Sequence, residues 1–355
     1  MPNIDLLDTY YLAGLAESIT PRMSFFKDRY FSDFETFRTN KVLLEFNNGD
    51  QKMVPFIDPR VGDIPVDRDG YNLLEIEPPM VAPSRILTID DLRKRGFGEA
   101  ILSNSTEADR ARTIQLRDMT QLDARISRLE EWLAAQTMIN NGVTVQEYID
   151  ANTTGRSVPI YFYDNNGSNP GVYTIGGGTW SSYAAMRADV IAMCNKLVAR
   201  GLPVTDLVLG STTWETVLQF TDLQALLDKR HMFFGDVAED MKLPGANFVG
   251  RLDFGGYQLN VIVVSEFYVD ASNNQQPYFP VKSAMVTAPK CGKMLYGSIT
   301  QIPYGSSEMD TFTGRRIPKL SVDQEHDIRK MRLACRPITC PKNLAPWVYA
   351  ANVVA

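Results

Sequence analysis

The stretch from Thr113 to Asn141, TIQLRDMTQLDARISRLEEWLAAQTMINN, constrains the fold more than any other part of the chain. Leu122, Ile126, Leu129 and Leu133 recur at spacings of four, three and four, the period of a single apolar helical face. Thr106 and Asp109 supply a start signal, and Asn141-Gly142 a stop. The helix this predicts, Glu107 to Asn140, holds 34 residues. At 1.5 Å per residue it is roughly 50 Å long, and an ordinary globular helix is about a quarter to a third of that. Such a rod either crosses its own subunit or pairs with another helix. Gln136 and Asn140 interrupt the stripe and Leu116 drifts off it. A two-stranded coiled coil needs a longer clean seam, so packing on strands of the same chain is expected. Arg117, Asp118, Arg128 and Glu131 read as the opposite face, and Glu130-Glu131 as solvated acids there.

The chain has 355 residues, 44% hydrophobic and 22% charged, enough for two or three packed units. No run of eighteen apolar residues occurs, so no transmembrane span is expected. The opening MPNIDLLDTYYLAGLAESITPR lacks a basic start and mixes acids among its apolar residues, which argues against a secretory signal and for a cytoplasmic protein. Cys194, Cys291, Cys335 and Cys340 show no paired C-x-x-C spacing and read as free, buried thiols. A net charge of -6 lacks the basic surplus of a sequence-specific nucleic-acid binder. A surface that merely faces nucleic acid stays open.

Residues 23–37, MSFFKDRYFSDFETF, hold six aromatics that keep to no single helical face. With on the order of 150–250 Å² each to bury, they must dock on their own domain or on a neighbour. The expectation carried forward is an intersubunit arm whose removal leaves a folded subunit. Residues 41–58, KVLLEFNNGDQKMVPFID, give a hairpin signal around Asn-Asn-Gly-Asp. The proline-rich text over 59–98, with a strand-like Tyr71–Ile76, reads as a projecting loop that neighbours would order. Beyond Gly142 come strands in VTVQEYI and SVPIYFY, then a helix over 181–200 closed by Gly201 and Pro203. A buried strand TDLVLG, a helix over Thr212–Arg230 and a strand YQLNVIVVS complete a compact α/β unit from about Gly176 to Met285. The segment 286–355 is strand-rich.

Chemistry is hard to find. His231 and His326 stand apart, without the spacing a metal site needs. GGGTW at 176–180 and PKCGKM at 289–294 lack phosphate-loop spacing and read as a turn and a strand edge. LGSTTW at 209–214 places Ser211 between a strand and a helix, as a nucleophile elbow would, but lacks the closing glycine. Ser211 or Thr212 as a helix N-cap explains it. No catalytic, cofactor-binding or metal residue is assigned, and no enzyme is expected.

The order of parts resembles the HK97 fold of tailed-phage shells, in wording nearest the lambda-type major capsid protein (major capsid protein E) family. Phe25-Phe26, Lys41-Val42, the helix Glu107–Asn140, PKCGKMLYG at 289–297 and DIRKMRLACRPITCPKNLAPWVYAANV at 327–353 carry the resemblance. It implies an α+β subunit divided into an N-terminal arm (1–40), an extended loop (41–100), a spine helix with the first part of a peripheral domain (101–175), an axial domain (176–285) and a peripheral return (286–355). It further implies a head protein of the virion, assembled in the host cytoplasm from pentamers and hexamers around DNA that is bound without sequence specificity. Scaffold, portal and decoration proteins would be partners, and a membrane would not. A nanocompartment shell, another virion component, or an enzyme with a site scattered along the chain remain the alternatives.

Overall fold

The computed structural model describes residues 24–39, 41–47, 71–88, 91, 107–148, 154–163, 169–224, 245–270, 272–323, 325–326 and 328–355. The rod is one helix, Glu107–Asn140, of 34 residues; Thr106 lies outside the described residues. It stops where Asn141 turns left-handed, with φ 49°, a conformation asparagine tolerates better than most residues. The terminal carbonyl of Asn140 is taken up by the Asn169 side chain at 2.8 Å.

The stripe packs within the subunit, as its short seam predicted. Leu122 and Ile126 lie against Leu333, Cys335 and Val81. Leu133, with Leu129, lies against Ile338, Cys340, Val143 and Ile160. The last turns, from Ala134 to Ile139, enter a further cluster beside a large sheet. One helix thus joins three apolar clusters.

That sheet has six strands, in the order Val172–Tyr173, Trp347–Ala350, Ala284–Thr287, Asp206–Gly210, Tyr257–Val264 and Ala246–Phe254. Its central strands are buried on both faces, which explains their unbroken apolar runs. Leu207, Leu209, Val286 and Val348 face the helix Tyr183–Val198. Val208, Met285, Trp347 and Tyr349 face the spine and the N-terminal segment. Strands from outside 176–285 complete this sheet, so the α/β unit borrows both from before it and from the C-terminal segment.

The aromatic segment behaves differently from the intersubunit arm expected. Phe25, Phe26, Tyr30 and Phe31 are at most 1% exposed, inside the second of those clusters. A six-residue helix, Phe25–Tyr30, supplies three of them. They cover the sheet's second face, and no single helical stripe is needed because sheet and spine enclose the segment from different sides. Only the following strand Asp33–Phe37 is outward, with Phe34 63% exposed, pairing in parallel with Gly292–Gly297.

Two further expectations change, and a third lies outside the described residues. Val42–Asn47 pairs with Tyr71–Ile76, and the turn and second run of the hairpin expected around Asn-Asn-Gly-Asp fall on 48–58, outside the described residues. Part of the supposed loop is a strand, Ser84–Leu87, at the edge of a sheet with Ile328–Ala334 and Ile317–Asp323. Its four residues follow Pro83 directly, a position sheets allow at their edges. The helix after Gly210 ends at Leu218 and resumes at 221–224.

Candidate functional site

A set of ionisable side chains is buried where the N-terminal helix, the spine and residues 315–316 meet. Asp123, Ser127 and Glu130 repeat at spacings of four and three, one position along from the apolar stripe. All three are buried, and one arginine lies along them. Arg316 places Nε 2.6 Å from Asp123 Oδ1, Nη2 3.3 Å from Ser127 Oγ and Nη1 2.5 Å from Glu130 Oε1. Glu130 also accepts from Lys27 Nζ at 2.6 Å and from the Tyr296 hydroxyl at 3.0 Å. Burial alone would push the Glu130 carboxyl up, but Arg316, then Lys27 and Arg315, hold it down to about 2.

Glu131 faces the N-terminal helix instead. Its two oxygens accept the backbone N–H groups of Phe26 at 2.7 Å and Lys27 at 2.9 Å. It therefore caps a helix more than a hundred residues away, whose own Ser24 makes no side-chain cap. Burial pushes the Glu131 carboxyl up to about 7; the two N–H groups oppose this, and Glu266 and Asp28 add to it. A third tie joins the segment to the large sheet. Arg29 grips Asp206 with Nε at 2.6 Å and Nη2 at 3.0 Å, while Tyr30 and Asn260 donate to the same carboxylate at 3.2 and 3.1 Å.

Reading Glu130-Glu131 as solvated acids is thus overturned: they are 0% and 2% exposed. The available signal was the polar repeat at 123, 127 and 130 running beside the apolar one, which marks a wider buried face. The arrangement fixes a terminal segment to a rod. Its carboxylates are occupied by cations and amides from the same chain.

The other residues weighed from sequence do not come together. His326 is exposed, its ring 2.9 Å from Asp323, and His231 lies outside the described residues. Gly210 lets the chain at Pro280 and Val281 approach, since a Cβ there would stand 2.3 Å from the Val281 carbonyl oxygen. Gly210 itself occupies the N-cap position, and neither Ser211 nor Thr212 caps. Gly292, in PKCGKM, makes room for Phe31: a Cβ would lie 2.3 Å from its ring. Trp180 of GGGTW is buried and donates to Asp189 at 2.8 Å. Among the described residues no group of three metal-binding side chains converges, and no helix is long and apolar enough to cross a membrane.

Residues 8–352 match the family of the phage major capsid protein E. The chain belongs to this family. As a phage major capsid protein it is a self-assembling subunit of the icosahedral virion shell. No curated protein sequence matches it. Among solved structures it is similar to a prophage protein of Escherichia coli CFT073 assigned as a capsid protein, at 16% identity and a TM-score of 0.66, over 98% of this chain and 99% of that one. It is also similar to a phage-related protein of Bordetella bronchiseptica RB50, at 8% identity and TM-score 0.52, over 99% and 98%. The capsid of Ralstonia phage GP4 follows at 10% identity and TM-score 0.50, over 94% and 92%. These likenesses establish the α+β HK97 fold.

Proposed function

We propose that this capsid protein forms pentamers and hexamers that close into a head in the host cytoplasm, with scaffold, portal and decoration proteins as partners and no catalysis of its own. In this reading the extended loop (41–100) and the outward strand Asp33–Phe37 of the arm (1–40) reach neighbouring subunits, while Phe25, Phe26, Tyr30 and Phe31 stay in the subunit's own core. The spine and peripheral parts (101–175 and 286–355) form the wall. The axial unit (176–285), completed by Trp347–Ala350, lies toward the capsomer centre. The observation that carries the reading is the span of the family match, 8–352, which takes in every one of these parts. Shell subunits gain adhesion by spreading contact over several neighbours, since each contact must exceed its own association cost. Head-to-tail interfaces close into rings when the rotation closes.

Negative-stain microscopy of the purified chain, with and without a co-expressed scaffold, tests it. Closed particles with five- and six-fold capsomers and DNA contents are expected. Uniform monomers under both conditions, or shells filled with protein cargo, would overturn it.

A further inference from the structure

The spine helix sorts its charges by side. Over residues 110–140 it carries four acids, and none is exposed: Asp118 pairs with Arg85 at 2.8 Å, while Asp123, Glu130 and Glu131 are buried. Its exposed charges are all arginines: Arg112, Arg117, Arg125 and Arg128. Arg117, Gln121, Arg125 and Arg128 follow one another at four, four and three, so they share one face. From Arg117 to Arg128 that face runs for about 16 Å at 1.5 Å per residue. Among the described residues Arg125 and Arg128 take part in no ion pair.

The chain as a whole has 42 acids against 36 basic residues, so this face is not the overflow of a basic protein. An ordinary solvated helix face interleaves both signs. Here the acids turn inward to hold Arg85, Arg316 and the N-terminal segment, and a rigid single-sign face is left outside.

We propose that the arginine face of the spine contacts the phosphate backbone of the DNA that the shell encloses. The proposal rests on the capsid reading above. Guanidinium groups match phosphate oxygens bidentately. Duplex DNA offers a charge about every 1.7 Å of its axis, so three arginines spread over such a length meet phosphates in any register and at any sequence. Gln121 between them offers a further polar contact and no large apolar anchor, which favours a polyanion over an acidic protein segment. Each contact is weak on an acidic subunit, and repetition over many copies in one shell raises the total.

The test is the salt dependence of duplex DNA binding to the full-length subunit, read by fluorescence anisotropy. Wild type should bind with an affinity that falls steeply as salt rises. The triple variant Arg117→Gln, Arg125→Gln, Arg128→Gln should lower the log–log slope by about 0.9 per lost contact. If the triple variant is unfolded by circular dichroism, Arg125→Gln and Arg128→Gln singly should each lower it by about 0.9. Lys330→Gln, an exposed cation on the far face of the sheet beneath the spine, should leave the slope unchanged. No DNA binding, an unchanged slope, an equal loss in Lys330→Gln, or equal stripe-dependent binding of polyglutamate would overturn the proposal. Microscopy of the same wild-type preparation judges the capsid reading separately. Shells with an unchanged slope overturn the DNA contact alone, and a changed slope without shells overturns the capsid reading while leaving a polyanion-binding face.

Discussion

Lys27 and Glu130, separated by 103 positions in the chain, meet in the interior at 2.6 Å. The pair ties the start of the described chain to the middle of its longest helix, in a site where each charge has replaced its water with the other's atoms. A buried pair of this kind adds little over a well-packed apolar one, yet losing one partner strands the other.

Glu130→Gln should therefore lower subunit stability by about 3–5 kcal/mol, because Lys27 and Arg316 would keep their charge without the carboxylate. Urea unfolding followed by circular dichroism measures this. A loss under about 1 kcal/mol, the size of a surface pair, would mean that the cluster does not hold the segment.

Glu131 should make the subunit more stable in mild acid. Its carboxyl titrates ordinarily near 4.5 and is raised by burial to about 7. A raised group contributes fully below its unfolded value, and that contribution is lost as pH rises through the folded value. The change amounts to about 3 kcal/mol at most. Glu130, held down to about 2, has the opposite sign: its contribution is present above about 4.5 and lost as pH falls toward 2. The urea midpoint should then rise between about pH 8 and 5, and Glu131→Gln should flatten that rise. An equal pH slope in both proteins would refute it.

Deleting residues 1–37 should leave no stable subunit, contrary to what the sequence suggested. Four aromatics buried at roughly 1.5–3 kcal/mol each give a gross term on the order of 6–12 kcal/mol, comparable with the whole net stability of a typical domain. The truncated chain should bind a hydrophobic dye and lack a cooperative melting transition. A truncated subunit that melts cooperatively near the wild-type temperature would show that the sheet can do without its cover.

Ile126→Ala should cost the isolated subunit about 2–5 kcal/mol through a cavity beside Leu333 and Cys335. Leu129→Asp should cost a few kcal/mol by placing a charge in a partly buried apolar contact. Thermal melts of both variants decide the matter. A normally stable Leu129→Asp monomer that fails only in assembly would place that side chain against a neighbour.

All four thiols should resist labelling in the native subunit. Burial pushes Cys194, Cys291, Cys335 and Cys340 up to about 12, which leaves almost no thiolate at neutral pH. Ellman's reagent should titrate all four after denaturation and essentially none before; rapid native labelling would contradict this burial.

The spine was legible because its stop and its periodicity are local, and the capsid fold because its parts come in a known order. What escaped was set by contacts between distant segments. Phe25, Phe26 and Tyr30 follow no single helical stripe because their cover comes partly from a sheet that includes Trp347 and Tyr349. Glu130 and Glu131 look like surface acids until Arg316 and the backbone of Lys27 arrive from elsewhere in the chain. Ser84–Leu87 is too short to announce itself and becomes a strand only beside Ile328–Ala334. The sequence also listed the spine's arginines and acids together; only burial separates them into an inner and an outer set.

The place of Trp347–Ala350, hydrogen-bonded between Val172–Tyr173 and Ala284–Thr287, bears on when a subunit becomes competent to meet others. During synthesis, a nascent chain that has reached residue 346 holds Ala284–Thr287 as an open edge and leaves Val172–Tyr173 without its strand partner. Translation at about 5–20 residues per second is slow enough for the spine and the earlier strands to form first. The sheet then closes in one late step, when residues 347–350 leave the ribosome. Until then Ala284–Thr287 keeps one side unpaired, an edge of the kind that invites pairing with a wrong strand.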